Sequence, residues 1–207
     1  MPVAKMQNMG GESCWALWRI EEDEQALSYH AMESCPDDLI SIQKRLEYLA
    51  GRALMKNLVE TLGISYSGMK KDESGKPFLR DSGHQVSLSH SFPYAAAQIH
   101  PTHSVGIDIE QPKEKLLRIA SRVLSGQEQA DAGHDPVKHC IYWCAKEAMY
   151  KIYGKRGLHF NSQLLLEPFK LATTGNIKGR ILANGSEVNV GLDYMVEPEF
   201  VLVTTKT

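Results

Sequence analysis

Leu39, Ile42, Leu46, Leu49 and Ala53 recur at spacings of 3, 4, 3 and 4, which lines them along one stripe of a helix. Ser34-Cys35-Pro36-Asp37-Asp38 stands before them with a capping serine, a proline and two acids, and Gly63 follows Leu62. The spacing therefore predicts a long helix from about residue 35 to Leu62. Off that stripe Arg45, Arg52 and Lys56 share one side of the helix, with Lys44 adjacent; the plain reading is a solvated basic flank. From Ser65 the period changes to two. Gln85 to His90 alternates, so that Val86, Leu88 and His90 share one face of a strand and Ser87 and Ser89 the other. Ser74-Gly75-Lys76-Pro77 reads as a turn, and a second apolar strand, Tyr94 to Ile99, follows Pro93. Pro101-Thr102-His103 turns the chain into the strand Ser104 to Glu110, which Gln111-Pro112 ends.

Lys115 to Val123 and Pro136 to Tyr153 are predicted helices, separated by the turn-rich Asp131-Ala132-Gly133-His134-Asp135. The second carries Val137, Ile141, Ala145, Ala148 and Ile152 as a core stripe and stops at Gly154. Phe169 to Val203 reads as a strand meander broken at Thr174-Gly175-Asn176 and at the hairpin signal Asn184-Gly185. Helix then strands in the first half, and strand, helices, strands in the second, predict an α+β protein of two similar halves, 1–104 and 105–207. Each half would be a small, mostly antiparallel sheet with a packed helix.

Composition narrows the function classes. At 207 residues, 43% hydrophobic and 23% charged, the chain is an ordinary globular one, and disordered, collagen-like and low-complexity architectures are excluded. A formal charge of −2 supplies no global field to draw it onto nucleic acid or anionic lipid, so any polyanion must be held by a local cluster. The N-terminal residues lack a signal-peptide core and no apolar run approaches the length of a membrane span; the expectation is a cytoplasmic protein without membrane or nucleic-acid partners. Cys14, Cys35, Cys140 and Cys144 are expected as reduced thiols. Cys140 and Cys144 at i,i+4 spacing behind His134 and His139 raise a zinc reading, but no CxxC is present, and small buried hydrophobes are the better account.

Asp108 and Glu110 carry the first candidate chemistry. In a strand their side chains project to one side, with Cα atoms about 6.6 Å apart and with Ile107 and Ile109 directed to the other. Two like charges this close repel unless a cation lies between them, and hard oxygen donors suit Mg²⁺, with Mn²⁺ as the alternative. A pair of exposed acids at a strand end is the ordinary competitor. Trp143, Glu147 and Lys151, at i, i+4 and i+8, share a side of the second helix, and Lys146 abuts them. Glu147 with Lys151 reads either as a surface ion pair or as the third carboxylate and the cation of a metal-phosphate site. Lys76 at its turn, Ser89 and His90 at a strand end, and Arg45 and Arg52 are anion donors upstream, although a lone strand histidine is more often structural.

Gly75-Lys76-Pro77, Ser89-His90-Ser91, Gly106-Ile107-Asp108-Ile109-Glu110 and Trp143-Cys144-Ala145-Lys146-Glu147-Ala148-Met149-Tyr150-Lys151, in this order and at these separations, resemble the 4′-phosphopantetheinyl transferase superfamily in its Sfp-type, holo-acyl-carrier-protein synthase-like branch. Leu124-Ser125 with Glu128 resembles that family's F-S-x-x-E element, with leucine for the aromatic, and Gly157-Leu158 a family turn. The resemblance covers residues 40–160. It implies two pseudo-symmetric α+β halves with coenzyme A in the cleft between them, acting as a monomer. It also implies transfer of 4′-phosphopantetheine from coenzyme A to a serine of an acyl or peptidyl carrier protein, with release of adenosine 3′,5′-bisphosphate.

On that pattern Asp108, Glu110 and Glu147 would bind Mg²⁺. Lys151 would stabilise the pyrophosphate, and Lys76, Ser89, His90 and Arg45 or Arg52 would hold the nucleotide phosphates, with Lys146 a further contact. Serine is a weak nucleophile, so a base is needed; Glu147 is the candidate, acting directly or through a metal-bound water, and Glu110 the runner-up. Lys113, Lys115, Arg118 and Arg122, with Leu116, Leu117 and Ile119 among them, form a candidate carrier-docking helix; an ordinary solvent-facing amphipathic helix explains them equally. Two rivals stand beside the transferase. A metal-dependent phosphohydrolase or nuclease could use the same three acids, although no basic stripe accompanies them. A catalytically inactive coenzyme A-binding or carrier-binding protein could keep the pocket without the turnover.

Overall fold

The structure is a computed structural model that describes residues 3–10 and 13–206. The chain divides into two compact units, 1–104 and 105–207. In the first, strands β1 (Val3–Gly10), β2 (Ser13–Arg19), β5 (Gln85–Ser91) and β6 (Tyr94–His100) form an antiparallel sheet in the order β1-β2-β6-β5. Helices α1 (Glu24–Ala31) and α2 (Ile42–Thr61) complete the unit with a small ribbon, β3 (Met69–Lys71) and β4 (Pro77–Leu79). Its core packs α2 residues Leu49, Ala53, Leu54 and Leu58 with Trp18, Leu27 and Ile99.

The second unit opens with β7 (Ile107–Glu110), α3 (Lys115–Val123), α4 (Gly126–Ala132), α5 (Pro136–Tyr153) and α6 (Phe160–Gln163). It ends with β8 (Leu164–Leu166), β9 (Thr174–Ala183), β10 (Ser186–Val196) and β11 (Val201–Thr205). The strands form an antiparallel sheet in the order β7-β11-β10-β9-β8. Each unit is thus an antiparallel sheet with one long helix packed on it, the α+β class expected from the sequence. Among the described residues no helix is long and apolar enough to cross a membrane.

The predicted elements and the observed ones differ in instructive places. α2 begins at Ile42 with Ser41 as its N-cap, not near Ser34. The reason lies upstream, where an unpredicted helix, α1, ends at Met32 in the left-handed region (φ 53°), so that residues 32–41 are spent crossing to α2. Ile42, assigned to the core stripe, is consequently 73% exposed. Strand β2 also escaped the periodicity argument. It lies between β1 and β6, and its residues from Ser13 to Trp18 are all buried, so its sequence does not alternate. α3 and α5, by contrast, keep their predicted bounds. α5 starts at Asp135, whose carboxylate accepts hydrogen bonds from the Val137 and Lys138 amides, with proline in the first turn, and it stops at Gly154 at φ 68°.

A fully buried ion pair ties the second unit together. Lys146 Nζ lies 2.6 Å from Glu128 Oε2, with side-chain exposures of 0% and 1%, and donates to the Phe160 carbonyl at 2.9 Å. Glu128 also accepts from the Ser125 amide (2.7 Å), closing a capping box on α4, and from the Leu166 amide (2.8 Å) on β8. One carboxylate and one ammonium therefore connect α4, α5, β8 and the start of α6. Removing one partner strands a charge in the interior, which typically costs about 3–5 kcal/mol. We expect Lys146→Met to lower unfolding stability in urea by that amount, and Glu128→Gln added to it to recover part of the loss. A Lys146→Met protein as stable as the parent would show that the pair does not hold these elements.

Candidate functional site

The site in the second unit is built where α5 crosses β7. Gly106 is the residue that lets them meet: a Cβ there would sit 1.9 Å from the Ala148 carbonyl oxygen, a contact no side chain tolerates. The Gly106 backbone is fixed from the other side, its amide donating to Thr205 Oγ1 and its carbonyl accepting from the Thr205 amide, both at 2.9 Å. In the sequence Gly106 stands inside a motif without a role of its own. The signal that identifies it is positional: a glycine opening a strand whose alternate residues are acids.

From that crossing the functional side chains follow. Ile107 and Ile109 are fully buried, so strand alternation turns Asp108 and Glu110 to the opposite side. Asp108 is 5% exposed. Its Oδ1 accepts from Lys151 Nζ at 2.8 Å, and the same ammonium donates to the Ile107 carbonyl at 2.7 Å. Cys140 Sγ donates to the Glu110 carbonyl at 3.7 Å, another tie between α5 and β7. Glu147, one helical turn before Lys151, is pushed up to about 7 by burial first and then by the charges of Asp108 and Glu110, against the opposing pull of Lys151. A carboxyl with that proton affinity can give or take a proton near neutrality. Glu147 also borders a hollow of about 660 Å³ whose walls include Arg122, Val123, Trp143, Leu158 and Phe160.

Three carboxylates facing one lysine leave an excess of negative charge and a set of hard oxygen donors, which fits Mg²⁺ in charge and donor type. Among the described residues no three metal-ligating side chains already converge on one point, and Lys151 bridges from α5 to Asp108. The zinc reading finds its residues engaged elsewhere: Cys144 Sγ bonds the Val201 carbonyl, and His139 Nε2 lies 3.0 Å from the Gly133 carbonyl oxygen.

The remaining expected residues separate into two groups. Lys76 is half-buried with Nζ 3.1 Å from Ser104 Oγ, and burial lowers its proton affinity. Ser89 is half-buried on β5 and His90 beside it is exposed. Those three keep the exposure that anion binding needs. Arg45, Arg52 and Lys146, also expected at the phosphates, are each held by an acid of their own unit. Arg45 is clamped by both carboxylate oxygens of Glu24 and by the Leu39 carbonyl. Arg52 is buried, bonded through Nε to Glu33 at 2.9 Å and stacked 3.4 Å from the Tyr48 ring centroid. Lys146 is spent on Glu128. Each of these cations faces an acid, Glu24, Glu33 or Glu128, that spacing along the chain does not pair with it.

Comparison with known proteins bears on this arrangement. The family model described as the 4′-phosphopantetheinyl transferase superfamily matches residues 104–191, the stretch that holds Asp108, Glu110, Glu147 and Lys151. A 4′-phosphopantetheinyl transferase of Nostoc sp., HetI, is 31% identical over 160 residues, spanning 67% of this chain and 68% of the relative. The chain belongs to the 4′-phosphopantetheinyl transferase superfamily. It is a transferase by family, and its α5–β7 crossing lies inside the matched residues.

The raised Glu147 has a measurable consequence. Its proton affinity is higher in the folded than in the unfolded protein, so the stability it contributes is full below about pH 4.5 and lost as pH rises through about 7. In the absence of divalent cations we expect Glu147→Gln to be more stable than the parent at pH 8 by about 2–3 kcal/mol, with little difference at pH 4.5. Thermal unfolding at the two pH values measures this. Equal stabilities at pH 8 would contradict the raised proton affinity that burial and the neighbouring acids give Glu147.

Proposed function

We propose that the protein transfers 4′-phosphopantetheine from coenzyme A to a serine hydroxyl of an apo carrier protein, releasing adenosine 3′,5′-bisphosphate. The observation that carries this reading is the α5–β7 crossing: Glu147, buried and close enough to Asp108 and Glu110 for their charges to raise its proton affinity, with Lys151 one turn beyond, inside the segment that matches the family. Asp108, Glu110 and Glu147 would hold Mg²⁺. When bound, the cation supplies charge neutralisation on the pyrophosphate.

This chain's own groups do the rest. Lys151 faces the developing negative charge, while Lys76, Ser89 and His90 bind nucleotide phosphates. The carrier serine approaches through the hollow beside Glu147, which takes its proton as the oxygen bonds to the β-phosphorus. The bond from that phosphorus to the bridging oxygen breaks, and the electron pair leaves with adenosine 3′,5′-bisphosphate. Positioning and charge stabilisation supply most of the acceleration in such phosphoryl transfers.

Incubation with coenzyme A, Mg²⁺ and an apo carrier domain should add one phosphopantetheine-sized increment to the carrier by intact-mass spectrometry. Glu147→Gln should abolish that increment while weakening coenzyme A binding at most moderately. Coenzyme A cleavage without carrier labelling would favour a hydrolase, and binding without turnover an inactive docking protein.

The carrier is proposed to dock on α3. Lys115, Arg118 and Arg122 are exposed there and Leu117 and Ile119 half-buried, whereas Leu116, Ala120 and Val123 belong to the core. An acidic carrier surface fits that ring of charge around an apolar patch. Reversing Lys115 and Arg118 to glutamate is expected to raise the KM for the carrier about tenfold, on the order of 1.4 kcal/mol, and to leave that for coenzyme A unchanged. Equal effects on both would remove α3 from the docking surface.

A further inference from the structure

Glu47 is a buried acid on α2 that the motifs do not mention. Its side chain is 2% exposed, yet it is held ionised: Gln43 Nε2 donates to Oε1 at 2.9 Å and Lys44 Nζ to Oε2 at 2.6 Å. Burial alone would favour the neutral acid, but these two hydrogen bonds and the nearby charges of His90 and Lys44 hold it below the usual carboxylate range. The same Oε2 lies 3.2 Å from Nδ1 of His90, whose own side chain is 45% exposed. A buried, ionised carboxylate on one ring nitrogen of a half-exposed imidazole does two things. It fixes the ring orientation with the proton on Nδ1, and it favours the doubly protonated ring, in which Nε2 is also a donor.

We propose that Glu47 is a positioning residue for substrate binding: through Nδ1 it holds His90 as an oriented imidazolium, so that the ring offers a positive charge and an Nε2–H to a phosphate group at pH values where an ordinary histidine is neutral. The proposal rests on the phosphate-binding reading of His90 given above. Of the groups facing the ring, α2 contributes Glu47 and, through the shared Oε2, Lys44. β6 opposes His90 with Ala95 and carries Tyr94 alongside, and β4 is Pro77-Phe78-Leu79, with no ionisable side chain. Lys44 competes with His90 for the same carboxylate oxygen, so the two substitutions must act in opposite directions. Without Glu47's charge the histidine loses its stabilising partner; without Lys44 it has that charge to itself.

The ionisation is measured first, on the protein without substrate, by titrating isotope-labelled His90 by NMR. The His90 midpoint should lie about one pH unit above that of an ordinary histidine, with Nδ1 carrying the proton in the neutral form. Glu47→Gln, which keeps the shape and a hydrogen-bonding amide, should lower the midpoint by about one pH unit. Lys44→Met, at a half-exposed position, should raise it. A midpoint that neither substitution moves, or an Nε2-protonated neutral tautomer, overturns the proposal irrespective of what the protein catalyses. Coenzyme A affinity by calorimetry is the second arm. It should fall about tenfold across the His90 titration, and Glu47→Gln should displace that fall to lower pH, leaving binding at pH 5.5 nearly unaltered and weakening it about threefold at pH 7.5. A midpoint that shifts while coenzyme A affinity stays flat would overturn the phosphate assignment of His90 instead.

Discussion

The second unit depends on how closely a helix can approach a strand. The Ala148 carbonyl occupies the space that a side chain at residue 106 would fill, and only glycine leaves that space open. Asp108, Glu110, Glu147 and Lys151 come from segments about 40 residues apart. They form one electrostatic group because α5 lies directly on β7 at this point. The hydrogen bonds of Gly106 to Thr205 on β11 extend the constraint into the sheet, so the strand cannot yield when the helix presses on it.

The Lys146–Glu128 pair complements that constraint from the opposite flank of α5. Buried ion pairs are weak sources of stability when compared with apolar replacements, yet breaking one is costly because the remaining charge is stranded. Here the partners of the pair come from α4, α5, β8 and the start of α6, which makes it specify an arrangement more than a free energy. Glu147 follows Lys146 in the chain, so whatever holds one residue sets the axial position of the other. Adjacent residues of one motif thus carry separate duties, one inside the unit and one at its reactive edge.

Acids and bases in this chain are distributed by burial. The near-zero net charge conceals cations committed to acids within the protein, Arg52 to Glu33 and Lys146 to Glu128 in the interior and Arg45 to the half-exposed Glu24, and others that retain exposure. His90 and Glu47 are an intermediate case in which a buried acid serves an exposed base. Proton affinity follows the same division. Glu47, given donors, stays ionised, whereas Glu147 is drawn toward neutrality by burial and then by the charges of Asp108 and Glu110, against the pull of one lysine.

The sequence by itself determined the α+β class, the bounds of α3 and α5, the strand Asp108–Glu110 with its acids on one side, and the order of motifs that marks the family. Those features are local: helix period, capping residues, strand alternation and spacing along a single element. It did not disclose β2, because a strand buried on both faces lacks alternation, or α1, whose eight residues show little periodicity. Without α1 in view the start of α2 is displaced, and Glu24, the partner of Arg45, stays hidden. Which acid meets which base was decided by tertiary structure alone. Periodicity places a charge on a face, and only the packing of another element shows whether that face meets solvent, a substrate or a carboxylate.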